Sequence, residues 1–214
     1  MVLAPAPVIS FAVVGHTARI VEATDLARTL SAAVTMDDGS LGAEANHLLA
    51  WADTRRRESE WAAVLEDDAQ PVARFLEQAD LALAAAPAPV VSFYLGRGRP
   101  ARWQYVIPGA LDHADQRHAH WITTDHMLHA VAVAMHTRLR EDWLRWAPAS
   151  ALPIDQRLGA WCRARGHTIA YTVPSLVEHS DLPTLVRDRG PRTRPRCAWR
   201  TGTRDAWNST AVTM

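Results

Sequence analysis

Three consecutive carboxylates, Glu66, Asp67 and Asp68, follow the apolar run Trp61-Ala-Ala-Val-Leu and are closed off by Pro71. Adjacent acids repel one another, so a chain that sets them at the end of a buried strand commonly holds a cation there. Carboxylate oxygens are hard donors that suit Mg²⁺ or Mn²⁺, and a metal held by one or two of them completes its shell with phosphate oxygens. A nucleotide is the obvious carrier of such phosphates. The alternative is a solvated turn, its acids favoured by the positive end of a helix that starts at Pro71.

Two further segments carry groups that could join this chemistry. Leu152-Pro153-Ile154-Asp155-Gln156-Arg157-Leu158 sets a carboxylate at the start of a helical stretch. Asp155 there is either a helix N-cap or a general base toward an acceptor hydroxyl. Pro174-Ser175-Leu176-Val177-Glu178-His179-Ser180 sets His179 just past a strand. As a neutral nitrogen donor it suits Mn²⁺ better than Mg²⁺; otherwise it is a loop residue in solvent.

Leu65-Glu66-Asp67-Asp68-Ala69 resembles the acidic metal motif, in its LEDD form, of GT-A glycosyltransferases, particularly small phage and bacterial members related to the lipopolysaccharide-modifying group. The segment around Asp155 is similar to that family's Pro-x-Asp-x-x-Leu stretch, and the segment ending at His179 is similar to the one supplying a C-terminal histidine. All three occur in the family's order, and the resemblance runs from Val8 to Trp199. It implies a single-domain α/β, Rossmann-like fold with a mostly parallel central sheet flanked by helices. It also implies transfer of a sugar from a nucleotide-diphosphate sugar to a hydroxyl. Asp68 and His179 would then hold Mn²⁺ or Mg²⁺, Glu66 and Asp67 would position the ribose and surround the metal, and Asp155 would act as base. The resemblance also implies that Asn46 helps line the donor pocket; Gly15, His16 and Asp37 are candidates for the same pocket because they lie on loops that follow strands, and Arg19 and Arg200 because a forked cation suits a diphosphate.

Composition agrees with one compact enzyme. The chain has 214 residues, 48% of them hydrophobic, enough for one sizeable core. No apolar run approaches the roughly 20 residues that span a bilayer, and Met1-Val-Leu-Ala-Pro-Ala-Pro lacks the basic start of a secretory signal. The expectation is a cytoplasmic protein with no membrane partner, in a phage-infected bacterial host if the phage resemblance holds. Cys162 and Cys197 make no disulfide framework, and Cys162 reads as a small core residue. There is no lysine, so all 23 basic side chains are arginines able to make forked contacts with carboxylate or phosphate.

The elements that must position these groups can be read coarsely. Val8 to Val14 is a buried strand ending at Gly15, Val21 to Ala33 is helical, and Ala33 to Met36 is a strand before Asp37-Asp38-Gly39. Gly42 to Asp53 is a helix, Ala62 to Leu65 a strand, Pro71 to Ala85 a helix opened by its proline, and Val90 to Leu95 a strand. Strands alternating with helices imply a largely parallel sheet with ligands at its carboxyl edge, so the loops at Gly15-His16, Asp37-Asp38 and Glu66-Asp68 should meet there. Trp103 to Thr124 reads as a loop-rich excursion, and Leu128 to Met135 as a strand or a helix. Leu139 to Trp146 and Asp155 to Arg165 are helical, and Ile169 to Val173 is a strand stopped by Pro174.

The acceptor is read from the remaining charge. Residues 1–186 form the catalytic domain and 187–214 an Arg/Pro-rich segment, with arginines at 187, 189, 192, 194, 196 and 200. That segment is a solvated tail or a clamp for polyanion. With nine tryptophans it favours DNA, the acceptor being a hydroxymethylated base, over a protein or cell-surface glycan. Trp51, Trp61 and Trp161, however, fall where core packing is expected. The histidines at 113, 118, 120, 126 and 129 match no closed zinc site and read as acceptor-loop polarity, with a second metal site as the alternative. A nucleotidyltransferase or phosphohydrolase would need a second acidic pair, for which Asp37-Asp38 is the candidate, and a non-enzymatic binding protein would leave the acids without metal.

Overall fold

The computed structural model describes residues 8–180, 182, 183, 185 and 196–214. Its first half is the alternating βα pattern: β1 (Ile9–His16), α1 (Ile20–Leu30), β2 (Ala33–Asp37), α2 (Ala43–Asp53) and β3 (Trp61–Glu66). β1 lies between β2 and β3 and runs parallel to both. The chain thus leaves β1 on one side and returns past it to the other. The carboxyl ends of β1 and β3 therefore form a topological switch point, where ligand crevices open in α/β sheets.

After β3 come β4 (Ala69–Pro71), α3 (Phe75–Ala84), β5 (Val90–Ser92), α4 (Ile107–Gln116), β6 (Trp121–Thr124) and β7 (Ala132–His136). The remaining elements are α5 (Thr137–Trp146), α6 (Ile154–Arg165), β8 (Ile169–Thr172), β9 (Val177–His179) and β10 (Ala211–Thr213). The main sheet has the order β10-β6-β8-β5-β7-β3-β1-β2, and β4 pairs with β9 in a separate ribbon. β1, β2, β3, β5 and β8 share one direction, while β7 lies antiparallel between β3 and β5. Strand alternation sends side chains to two cores. Val13 and Leu65 pack with Leu26, Leu30 and Phe75 under α1 and α3, whereas Ala12 and Val64 pack with Trp51, Ile107, Trp143 and Leu158 under α2, α4, α5 and α6. Each large side chain so buried contributes roughly 1.5–3 kcal/mol.

Two expectations need correction, and one open alternative is resolved. Trp103 to Thr124 is not a loop: it holds α4 and β6 after a turn of 3₁₀ helix at Ala101–Tyr105. Ile107, Ala110, Leu111 and Ala114 have helical spacing and are buried, with a proline in the first turn; the intervening His and Asp residues hid that period. Pro71 does not open a helix; it ends β4 opposite Val177, where its missing N–H is tolerated, and α3 starts after Arg74 at φ 60°. Leu128 to Met135 resolves as a strand, but only from Ala132.

The described part of the C-terminal segment packs on the same sheet: Ala198 bridges Gly96, Thr201 bridges Ser175, and β10 pairs with β6. Arg187, Arg189, Arg192 and Arg194 lie outside the described residues. Trp51, Trp61, Trp161 and Cys162 are all buried, as their positions require. Among the described residues no helix is long and apolar enough to cross a membrane.

Candidate metal centre

The three expected loops meet at one edge. His16 is in register with Asp37 and Val14 with Glu66. Gly15 is required by crowding, since a Cβ there would collide with Met36 Sδ and lie 2.9 Å from Ala23 Cβ. The His16 amide donates to Asp67 Oδ2 at 2.9 Å, and the Asp67 amide donates to Val14 O at 2.9 Å. Asp37 shapes its own loop, its carboxylate accepting the amides of Leu41, Gly42 and Gly39 at 2.9, 2.9 and 3.0 Å. These bonds, led by Leu41, hold its pKa below the ordinary aspartate value. Asp38 likewise accepts the Ser40 amide at 3.0 Å. Asn46 is buried on α2 and donates to Gly15 O at 2.8 Å, supporting the first loop from beneath.

The β4–β9 ribbon explains how a histidine more than a hundred residues downstream reaches the acids. Ala69 pairs with His179, and the Ser180 amide donates to Asp68 O at 2.9 Å. One donor atom from each of Glu66, Asp68 and His179 lies within 4.8 Å of the others. Asp68 and His179 are buried, while Glu66 is partly open. Two carboxylates and an imidazole make a mixed oxygen and nitrogen set that fits Mn²⁺, and with less preference Mg²⁺.

A cation is already built into this cluster. Buried Arg19 places NH1 2.8 Å from Asp67 Oδ1 and 2.7 Å from Asp68 Oδ2, and its NH2 donates to Pro183 O at 2.6 Å. Burial opposes its charge, but Asp67 and Asp68 outweigh that and raise its pKa. Asp67 is pushed up by burial despite Arg19, and Asp68 is pushed up by burial and then by the charge of Glu66. Both acids remain short of positive charge. With Glu66, Asp67 and Asp68 ionised, the single Arg19 charge leaves a net of two negatives, which one divalent cation balances. Asp68 Oδ1 and His179 Nδ1 are buried without hydrogen-bond partners, an arrangement that costs about 1–3 kcal/mol per group unless something else satisfies them.

Two further histidines border this cluster, and the imidazole of one of them, His129, is buried and so does not supply the acceptor-loop polarity expected of it. His47 follows Asn46 on α2 and places Nε2 3.1 Å from Glu66 Oε1, orienting that carboxylate. His129 packs edge-on against Tyr94 at 5.1 Å, and Tyr94 lies 6.0 Å from the His179 ring. Burial lowers the His129 pKa to about 4, so it is neutral near pH 7. The other members of that histidine group disperse: His126 pairs with Asp125, His120 bonds Asn208, and His113 is on α4. The spacing of His47 beside Asn46 was the available signal; nothing in the sequence singled out His129 from its neighbours.

The remaining candidates sit farther out. Asp155 is the second residue of α6, whose N-cap is Pro153, so it does not cap the helix; its Oδ1 accepts the Gln156 amide at 2.8 Å. Its neighbour Ile154 borders the same patch of packed core as His47, which places the start of α6 near the partner of Glu66. Arg200 pairs with Asp115 at 2.7 Å at the end of α4. A groove of about 730 Å³ opens against the acids between α1 and α3, bordered by Glu22, Asp25, Asp67, Asp68, Phe75 and Ser180. That volume suits a small-molecule ligand, and its acidic lining disfavours an anion without a metal. No family model matches the sequence, and no curated protein matches it.

Proposed function

We propose that this protein is a divalent-metal-dependent glycosyltransferase that moves a sugar from a nucleotide-diphosphate sugar to an acceptor hydroxyl. One observation carries the reading: at the β1/β3 switch point, Glu66, Asp68 and His179 each place a donor atom within 4.8 Å of the others, and the two buried members of the set, Asp68 and His179, each retain a polar atom without a hydrogen-bond partner. Mn²⁺ or Mg²⁺ held there would neutralise charge developing on the leaving diphosphate. Arg19 holds Asp67 and one oxygen of Asp68, while His47 holds Glu66, so the ligand set is oriented before any ion arrives. Asp155 is the proposed base toward the acceptor, on a helix that begins beside His47. The best acceptor is a hydroxymethylated base in phage-type DNA, and a protein or glycan hydroxyl is the alternative.

A two-metal nucleotidyltransferase or phosphohydrolase is less well supported. The candidate second pair, Asp37 and Asp38, spends its carboxylates on amides of its own loop, and the described residues contain one group of potential ligands. Incubation with a panel of nucleotide sugars and Mn²⁺, following release of free nucleoside diphosphate, tests the proposal. Metal-dependent release from one donor is expected. Absence of release from every donor, with or without acceptor, would overturn it.

A further inference from the structure

We infer that the surface formed by Gly96 to Tyr105 and Trp199 binds single-stranded nucleic acid and delivers it to the edge that carries the acids. This deepens the transferase reading by giving its nucleic-acid acceptor a surface, and as an acceptor surface it rests on that reading; as a binding surface it does not.

From Leu81 to Leu111 the chain contains no Asp or Glu, yet it carries Arg97, Arg99 and Arg102. All three are exposed, and none forms an ion pair among the described residues. Arg19, Arg55, Arg74, Arg165 and Arg200, by contrast, each hold a carboxylate. Uncompensated guanidiniums collected on one surface attract an anion. The same surface carries aromatic rings. Arg97 lies over the partly buried Trp199 at 4.5 Å and Arg102 over the partly buried Trp103 at 5.6 Å, and Tyr105, 88% exposed, is the open ring beside them. An aromatic ring that open is unusual for a residue with this much apolar area, and rings interleaved with arginines are what bases and phosphates of a single strand require. A neutral glycan has no use for three cations, and duplex DNA hides the base faces that Tyr105 would meet.

Contacts join this surface to the acids. Leu95 and Arg97 pair through their backbones with Trp199 and Cys197, fixing the ledge to the sheet. Gln104 donates to Gly96 O at 3.2 Å, and the Gly96 backbone is close enough to the buried His129 imidazole to influence its charge. His129 packs edge-on against Tyr94, whose ring lies tilted 6.0 Å from that of His179. Trp103 meets His126 at 4.9 Å, anchoring the 3₁₀ turn from its other side.

The test is fluorescence anisotropy of a labelled oligothymidylate titrated with the intact protein at several salt concentrations, without donor. Binding should weaken steeply with salt, and Arg97→Ala, Arg99→Ala and Arg102→Ala together should flatten the log-log slope by up to about two units, at about 0.7 per phosphate contact on a single strand. Tyr105→Ala should weaken binding about tenfold or more with an unchanged slope, and Tyr105→Phe should restore it. Thermal melts identify misfolding; because Arg97 also bonds Trp199 O, the pair Arg99→Glu with Arg102→Glu is the second variant and should abolish binding. No salt-dependent binding by wild type, or binding that ignores these changes, overturns the inference. So does heparin binding that matches the oligonucleotide and is unaffected by Tyr105→Ala, which would assign the surface to an anionic glycan. Asp68→Asn should bind the oligonucleotide normally. Nucleic-acid binding without donor cleavage would sink the transferase and spare this surface, and donor cleavage without binding would do the reverse.

Discussion

Arg19 NH1 sits 2.7 Å from Asp68 Oδ2, while Oδ1 of the same carboxylate is buried with no hydrogen-bond partner. One oxygen of this carboxylate thus faces the cation of Arg19, with His179 Nε2 at 3.6 Å, while the other is buried unpartnered. Arg19→Met keeps much of the packing but leaves Asp67 and Asp68 without their shared cation. Breaking a buried pair this way costs about 3–5 kcal/mol. Denaturant melts should show that loss, and Mn²⁺ should recover more stability in the variant than in wild type. Equal stability in both proteins would show that the acids do not need the charge.

His179→Ala should weaken Mn²⁺ affinity by about tenfold or more, since it removes one of three ligands and outer partners alone are worth 10- to 100-fold. His47→Ala, which frees Glu66 to rotate, should give a smaller loss at the lower end of that range. Metal titration by calorimetry orders the two. A His179→Ala protein indistinguishable from wild type would return His179 to a purely structural place in the β4–β9 ribbon.

The fold was legible where period and punctuation agreed. The strand ending at Gly15 and the strand ending at Glu66 were clear, because short apolar runs there stop abruptly at glycine and acid. From these the common edge of the three loops followed. α4 was missed because Asp112, His113 and Asp115 occupy its outer face and dilute the apolar period of Ile107, Ala110, Leu111 and Ala114. The pairing of Ala69 with His179 could not be read from either segment alone, since a two-stranded ribbon between distant segments leaves no local period. Nor could the place of Arg19, whose two carboxylate bonds span about fifty positions of sequence.

His129 supplies a pH prediction with a definite sign. Its pKa falls from 6.5 to about 4 because burial disfavours the charged ring. The unfolded chain binds this proton more readily than the folded one. The stability it contributes is therefore complete above about pH 6.5 and is lost as pH falls toward 4. Imidazole NMR should place one histidine midpoint near 4, and His129→Gln should remove that signal and flatten the acid limb of the stability profile. A titration of His129 near 6.5 would contradict its burial beside Tyr94.

Asp155→Asn should leave metal and donor binding intact and reduce transfer by roughly 10²- to 10⁴-fold, the usual contribution of a positioned base. Because Pro153 and not Asp155 stands at the N-cap of α6, the substitution should change thermal stability little. Single-turnover transfer with a cleavable donor separates these effects. Full transfer by the variant would assign the base to another group.

The central claim is that the acids and His179 hold a metal that in turn holds a diphosphate. Calorimetric titration of a nucleoside diphosphate into the protein, with and without Mn²⁺, addresses it directly in wild type and in Asp68→Asn, which removes one ligand charge at nearly constant shape. Binding that appears only with Mn²⁺ in wild type and is lost in Asp68→Asn is the predicted result. Binding that is independent of the metal, or equal in the two proteins, would contradict it.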